Sequence, residues 1–61
     1  MTFRLKIACD NEAFADAGEV ARILRAVADK VERGENEVLC RDSNGNLVGE
    51  ARFTGRAVRH A

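Results

Sequence analysis

Two runs of alternating polarity flank Asn44-Gly45 within Glu37–Phe53, EVLCRDSNGNLVGEARF. This dipeptide most strongly favours a two-residue hairpin, because both central residues of a type I′ turn need φ > 0 and Asn and Gly reach that region cheaply. With Asn44-Gly45 as the loop, Ser43 faces Asn46. Counting outward, Cys40 faces Gly49, Val38 faces Ala51 and Glu37 faces Arg52. One face then carries Val38, Cys40, Leu47, Gly49, Ala51 and Phe53, and the other Glu37, Leu39, Arg41, Val48, Glu50 and Arg52. The first face must be the covered one, since a one-residue slip would bury charges. Gly49 on that face is expected to make room for a bulky helix residue.

Upstream, Thr2–Cys9 also alternates. Phe3, Leu5 and Ile7 share one side, which predicts a half-buried strand. Asp10-Asn11-Glu12 interrupts the pattern, and Phe14 is expected to fold back onto the core. Asp16 suits a helix N-cap, and Glu19, three residues on, fits a capping box. Val20, Ile23, Leu24, Val27 and Val31 recur at helical spacing as one apolar stripe. Arg25–Asp29 and Asp29–Arg33 are i,i+4 pairs. Gly34 fits a left-handed C-terminal cap. The chain therefore reads β-α-β-β, an α+β fold with one helix on a three-stranded sheet. An antiparallel order with the third strand central is preferred. The alternative sets strands one and two side by side in parallel through a right-handed crossover.

Size sets the limits on function. A chain of 61 residues is one domain, and such a chain buries only roughly 60% of its unfolded surface. Phe3, Leu5, Ile7, Phe14, Val20, Ile23, Leu24, Val27, Val31, Val38, Leu47 and Phe53 form the expected core. The compact domain spans 1–54, and 55–61 is expected to be a flexible, basic tail. Ten basic and ten acidic residues leave no net charge, so nothing draws the chain to nucleic acid or anionic lipid as a whole. Arg4 and Lys6 interrupt any N-terminal apolar run, so a cytoplasmic protein is expected. Cys9 and Cys40 read as reduced, partly buried thiols, with a disulfide open if the first two strands are neighbours.

Sites for chemistry are sparse. Asp42-Ser43-Asn44-Gly45-Asn46 resembles a calcium loop but fails its spacing, because Gly is fourth rather than sixth and position twelve is Phe53. Zinc needs three or four ligands, and only Cys9, Cys40 and His60 are of the usual kind. Asp10, Glu12, Asp16 and Glu19 read as helix-capping acids rather than a catalytic pair. No catalytic, metal or cofactor residue is assigned.

What remains is surface. The outer sheet face is expected to show Arg4, Lys6, Leu39, Arg41, Val48, Glu50 and Arg52, apolar centres with a basic rim, as at protein-binding patches. These seven are the expected partner contacts. Edge strands offer a second route, pairing with a partner or with a second copy as a homodimer. A nucleic-acid reading competes: Arg4, Lys6, Arg41, Arg52, Arg56 and Arg59 suit phosphates, but no aromatic on that face offers a stacking platform.

Several segments together resemble small uncharacterised proteins of bacteriophages and prophages. They are the short first strand, Asn11-Glu12-Ala13-Phe14, Glu19-Val20-Ala21-Arg22-Ile23-Leu24-Arg25, Ala28-Asp29-Lys30-Val31-Glu32 and Arg41-Asp42-Ser43-Asn44-Gly45-Asn46-Leu47-Val48-Gly49. The resemblance covers most of residues 3–53 and carries over no catalytic residue. It implies a bacterial host cytoplasm and a role such as that of anti-CRISPR proteins, which occupy a surface of a CRISPR effector. Many of those are acidic DNA mimics. This neutral chain departs from that type, and steric blocking through a sheet face or edge is the expected mode.

Overall fold

Alternation, capping and turn chemistry produce five elements in the computed structural model, which describes residues 1–55. The expected tail over 55–61 thus lies almost wholly outside the described residues. Strand β1 is Thr2–Ile7, a 3₁₀ turn is Glu12–Phe14, helix α1 is Ala17–Glu32, strand β2 is Glu37–Arg41 and strand β3 is Leu47–Thr54. The sheet order is β1-β3-β2, antiparallel throughout. Strand β3 is therefore central, as preferred, and it separates β1 from β2.

The helix begins and ends where its local signals stand. Asp16 is the N-cap, its side chain accepting from the Gly18 N–H at 2.7 Å. At the other end Gly34 N donates to Val31 O at 3.0 Å and Glu35 N to Lys30 O at 3.1 Å. This Schellman pair needs a left-handed residue, and Gly34 supplies φ 102°. Arg33 pairs with Glu35 at 3.5 Å rather than with Asp29, and among the described residues the only other ion pair is Arg22–Glu19.

Ile23 and Val27 from the helix meet Val38, Cys40 and Ala51 from the sheet, and these five form the buried cluster. Leu5, Ile7, Phe14, Val31 and Val48 pack against it. Three expected core residues lie further out: Phe3 is 42% exposed, Leu24 43% and Leu47 57%. Phe3 and Phe53 pair across β1 and β3, their ring centroids 4.9 Å apart.

The hairpin departs from the expected turn. Among the described residues only glycines have positive φ, so Asn44 does not enter a type I′ turn. Gly45 N donates to Asp42 O and Asp42 N to Asn46 O, both at 3.0 Å, and Gly45 has φ 84°. The loop is Ser43-Asn44-Gly45, a three-residue connection with glycine in the left-handed position. Asp42, not Ser43, thus faces Asn46.

A second irregularity restores the inner register. Arg41 lies opposite Leu47, but Cys40 lies opposite Gly49 and Val38 opposite Ala51, so Val48 is an extra residue on β3. The Cys40–Gly49, Val38–Ala51 and Glu37–Arg52 pairings stand as expected. Beyond the bulge the faces exchange, which puts Leu47 outside and draws Val48 partly in. Cys40 is buried, but Cys9 is exposed, contrary to the expectation for that thiol.

Gly49 makes room for a strand rather than for the helix. A Cβ there would lie 1.9 Å from the Lys6 carbonyl oxygen and 2.9 Å from the Ile7 Cα. Backbone cannot rotate away as a side chain can, so Gly49→Ala is expected to lose about 2 kcal/mol or more of stability, in the range for forced overpacking. Urea unfolding of the two proteins, followed by circular dichroism, measures the difference.

Candidate protein-binding surface

Pleating fixes what the uncovered face of the sheet presents. The cross-strand partners Arg4–Arg52 and Arg52–Glu37 make one row, and Lys6–Glu50 and Glu50–Leu39 the next. The intervening rows, Leu5–Ala51–Val38 and Ile7–Gly49–Cys40, face the helix. Among the described residues no salt bridge joins the charges of the outer rows. They stand side by side in solvent, available to a partner.

The bulge completes an apolar dish at one end of this face. Lys6, Ala8, Leu39, Leu47, Val48, Gly49 and Glu50 line an open depression of about 360 Å³. Leu39, on the β2 side, is 55% exposed and Leu47 is more open still. A neighbouring depression holds Phe3, Arg4, Leu5, Lys6, Glu50 and Arg52.

The seven expected contacts divide accordingly. Lys6, Leu39, Val48 and Glu50 share the dish, and Arg4 and Arg52 lie beside it. Arg41 stands apart: its Nη1 donates to the Gly45 carbonyl at 3.1 Å, holding it over the hairpin loop. Val48 is a correction, because alternation makes it an open surface residue whereas it is half-buried and also packs on the core. Leu47, expected inside, is the added member. Its signal was the three-residue loop, which shifts the alternation by one at the strand start.

Two buried acids hold the hairpin behind this dish. Asp42 is 4% exposed and Glu19 8%. Asp42 Oδ1 accepts from the Asn44 and Asn46 N–H groups, both at 2.9 Å. Its Oδ2 accepts from Asn11 Nδ2 at 2.8 Å and Asn46 Nδ2 at 3.1 Å. Glu19 does not close a capping box onto Asp16. It turns to the hairpin instead, accepting from Ser43 N at 2.6 Å and Arg22 Nε at 2.6 Å. Arg22 Nη2 then reaches the Arg41 carbonyl at 3.0 Å. Asn11, besides holding Asp42, caps the 3₁₀ turn through the Ala13 N–H.

These bonds favour the charged carboxylates. The Arg22 guanidinium lowers the Glu19 pKa most, burial opposes it, and the Ser43 N–H adds to the lowering. At Asp42 burial is the largest single influence and acts upward, but the four donors from Asn46, Asn11 and Asn44 together outweigh it. Burial raises the Cys40 thiol, with Lys30 acting against it and Glu50 with it. Among the described residues no three His, Cys, Asp or Glu side chains gather to hold a metal. No helix of those residues is long and apolar enough to cross a membrane. Compared with protein-family models, with curated proteins and with solved structures, the chain matches none.

The acid linkage has a definite sign. Both carboxyl groups have folded-state pKa values below their ordinary ones, so their stabilisation is fully present above the unfolded values and is lost as pH falls through the folded ones. The melting temperature is expected to hold from pH 7 to about 5 and to drop below about pH 4, where free carboxylates titrate. Asp42→Asn turns one acceptor into a donor facing Asn11 and Asn46. It is expected to melt lower at pH 7 and to show a shallower fall in acid, both read from thermal circular dichroism across the pH series.

Proposed function

We propose that this chain is a non-enzymatic interaction module that docks onto another protein through the outer face of its sheet. The observation that carries this reading is the dish, where Leu39 and Leu47 are both more than half exposed and Glu50 lies between Leu39 and Lys6. An exposed apolar centre with charged flanks has the composition of a protein-binding patch. The face opposite the helix has no layer of its own among the described residues, so a partner can cover it without rearrangement. The resemblance to small phage proteins supports a narrower form, an inhibitor of bacterial CRISPR immunity that blocks an effector surface sterically.

A second reading has one specific observation behind it. Arg4 and Arg52 lie directly opposite each other on that face, and two adjacent cations suit a nucleic-acid phosphate. Glu37 on the far side of Arg52 and Glu50 in the next row weaken that potential.

Leu47→Glu is the informative variant, because Leu47 is exposed and a surface substitution costs little stability, within about 0.5 kcal/mol. Val48→Asp is not, since it would disturb the core. Capture from a bacterial lysate is expected to return a host protein with the wild type and with Arg25→Glu on the exposed side of α1, and to lose that protein with Leu47→Glu. In cells with an active CRISPR system, expression of the wild type is expected to raise survival of a targeted phage, and Leu47→Glu to remove that gain. A host protein captured equally by Leu47→Glu would overturn the assignment to this face. Duplex DNA binding that weakens steeply with salt would favour the second reading.

A further inference from the structure

The sheet has two free edges, and they differ in charge pattern. Strand β3 lies between the others, so one side of β1 and one side of β2 lack a strand partner among the described residues. Alternation of the ladder identifies the outward groups. Phe53 N donates to Asn36 O at 3.1 Å, so Asn36, Val38 and Cys40 direct their backbone groups to β3. Glu37, Leu39 and Arg41 direct theirs to the open side of β2. In β1, Ala8 N donates to Val48 O at 2.8 Å, so Phe3, Leu5 and Ile7 direct theirs outward.

We infer that two copies of this chain join through β2, antiparallel about a two-fold axis at Leu39, into one six-stranded sheet. In that register Leu39 pairs with Leu39 of the second copy, and Glu37 pairs with Arg41 twice. All three outward N–H and C=O pairs of each strand are then satisfied. Residues 37, 39 and 41 share the outer face, so each pair sets a carboxylate directly against a guanidinium, the favourable cross-strand combination. The apolar Leu39 side chains meet between them.

Isolated charges on an edge strand usually deter pairing. Strand β1 has that protection, since Arg4 and Lys6 share its outer face and the self-pairing centred on Leu5 sets them against each other. Strand β2 carries one acid and one base, symmetric about Leu39, and the same symmetry turns deterrence into attraction. The Arg41 carbonyl already accepts from Arg22 Nη2, and its second lone pair remains for the ladder. The Arg41 side chain exchanges the neutral Gly45 carbonyl for a carboxylate, the stronger acceptor. Arg22, Ala26 and Lys30 of the helix line an open groove of about 430 Å³ together with β2, while Leu24, Ala28 and Val31 line the β1 side. A chain this small gains from a second copy because its own core is limited.

This inference goes beyond the proposed function and needs no foreign partner. Glu37 and Arg41 do not line the dish, so the two proposals fail separately. Sedimentation equilibrium of the full chain from about 10 μM to about 1 mM, where weak dimers assemble, is expected to show a monomer–dimer equilibrium. Glu37→Arg or Arg41→Glu alone converts two attractive pairs into two repulsive ones and is expected to weaken the dimer about thirtyfold. The double variant Glu37→Arg/Arg41→Glu restores the pairing and the dimer, and Arg25→Glu on the exposed side of α1 leaves it unchanged. A wild type that stays monomeric throughout overturns the inference. So does a dimer that ignores the single variants, or one that the double variant does not recover. Should a single variant unfold by circular dichroism, hydrogen exchange of the wild-type Glu37, Leu39 and Arg41 amides decides. Exchange that slows as concentration rises supports the inference, and exchange that does not change with concentration overturns it.

Discussion

Glu19 and Asp42 bind the hairpin loop to the start of the helix, and the arrangement of the sheet depends on that clamp. The backbone N–H groups of Ser43, Asn44 and Asn46 each end on one of these two carboxylates, and that of Gly45 on the Asp42 carbonyl. Arg22 answers the charge of Glu19, and the Asn11 amide does the same for Asp42. Buried carboxylates are costly unless they are paired or bonded in this way. Here the bonds join three distant parts of the chain: the segment after β1, the first turns of α1 and the β2–β3 connection. Without them the tip of the hairpin would have little to hold it, since the apolar cluster lies beneath the strands rather than beneath the loop.

The clamp also shapes the surface. It holds a three-residue loop, the strand opposite absorbs the extra length as a bulge at Val48, and the bulge turns Leu47 outward. The exposed dish is thus a consequence of how the hairpin closes. An apolar residue at that strand start costs solvation in an isolated chain. Its exposure beside Leu39 is the feature on which the proposed binding role rests.

The outer face and the β2 edge are two surfaces with one strand in common. Leu39 belongs to both. If the sheet extends across β2, two dishes come to lie on one continuous face, related by the two-fold. A module built this way would present its apolar patch twice, and a partner with matching symmetry would gain from both contacts.

Much of this was legible in the residues. The β-α-β-β order, the Asp16 cap and the Gly34 terminus follow from local rules: period two in strands, period 3.6 in the helix, and the few residues that tolerate helix ends. Each depends on neighbours within a few positions, so the chain alone determined them. The places of Leu47, Val48, Glu19 and Asp42 were decided only in three dimensions. Asn44-Gly45 is compatible with two loop lengths, and the donors of Asn11 and Arg22, far off in sequence, favour the longer one. A carboxylate at Glu19 serves a capping box equally well by its spacing. It serves the hairpin instead because folding brings Ser43 within reach and offers a second charged donor there.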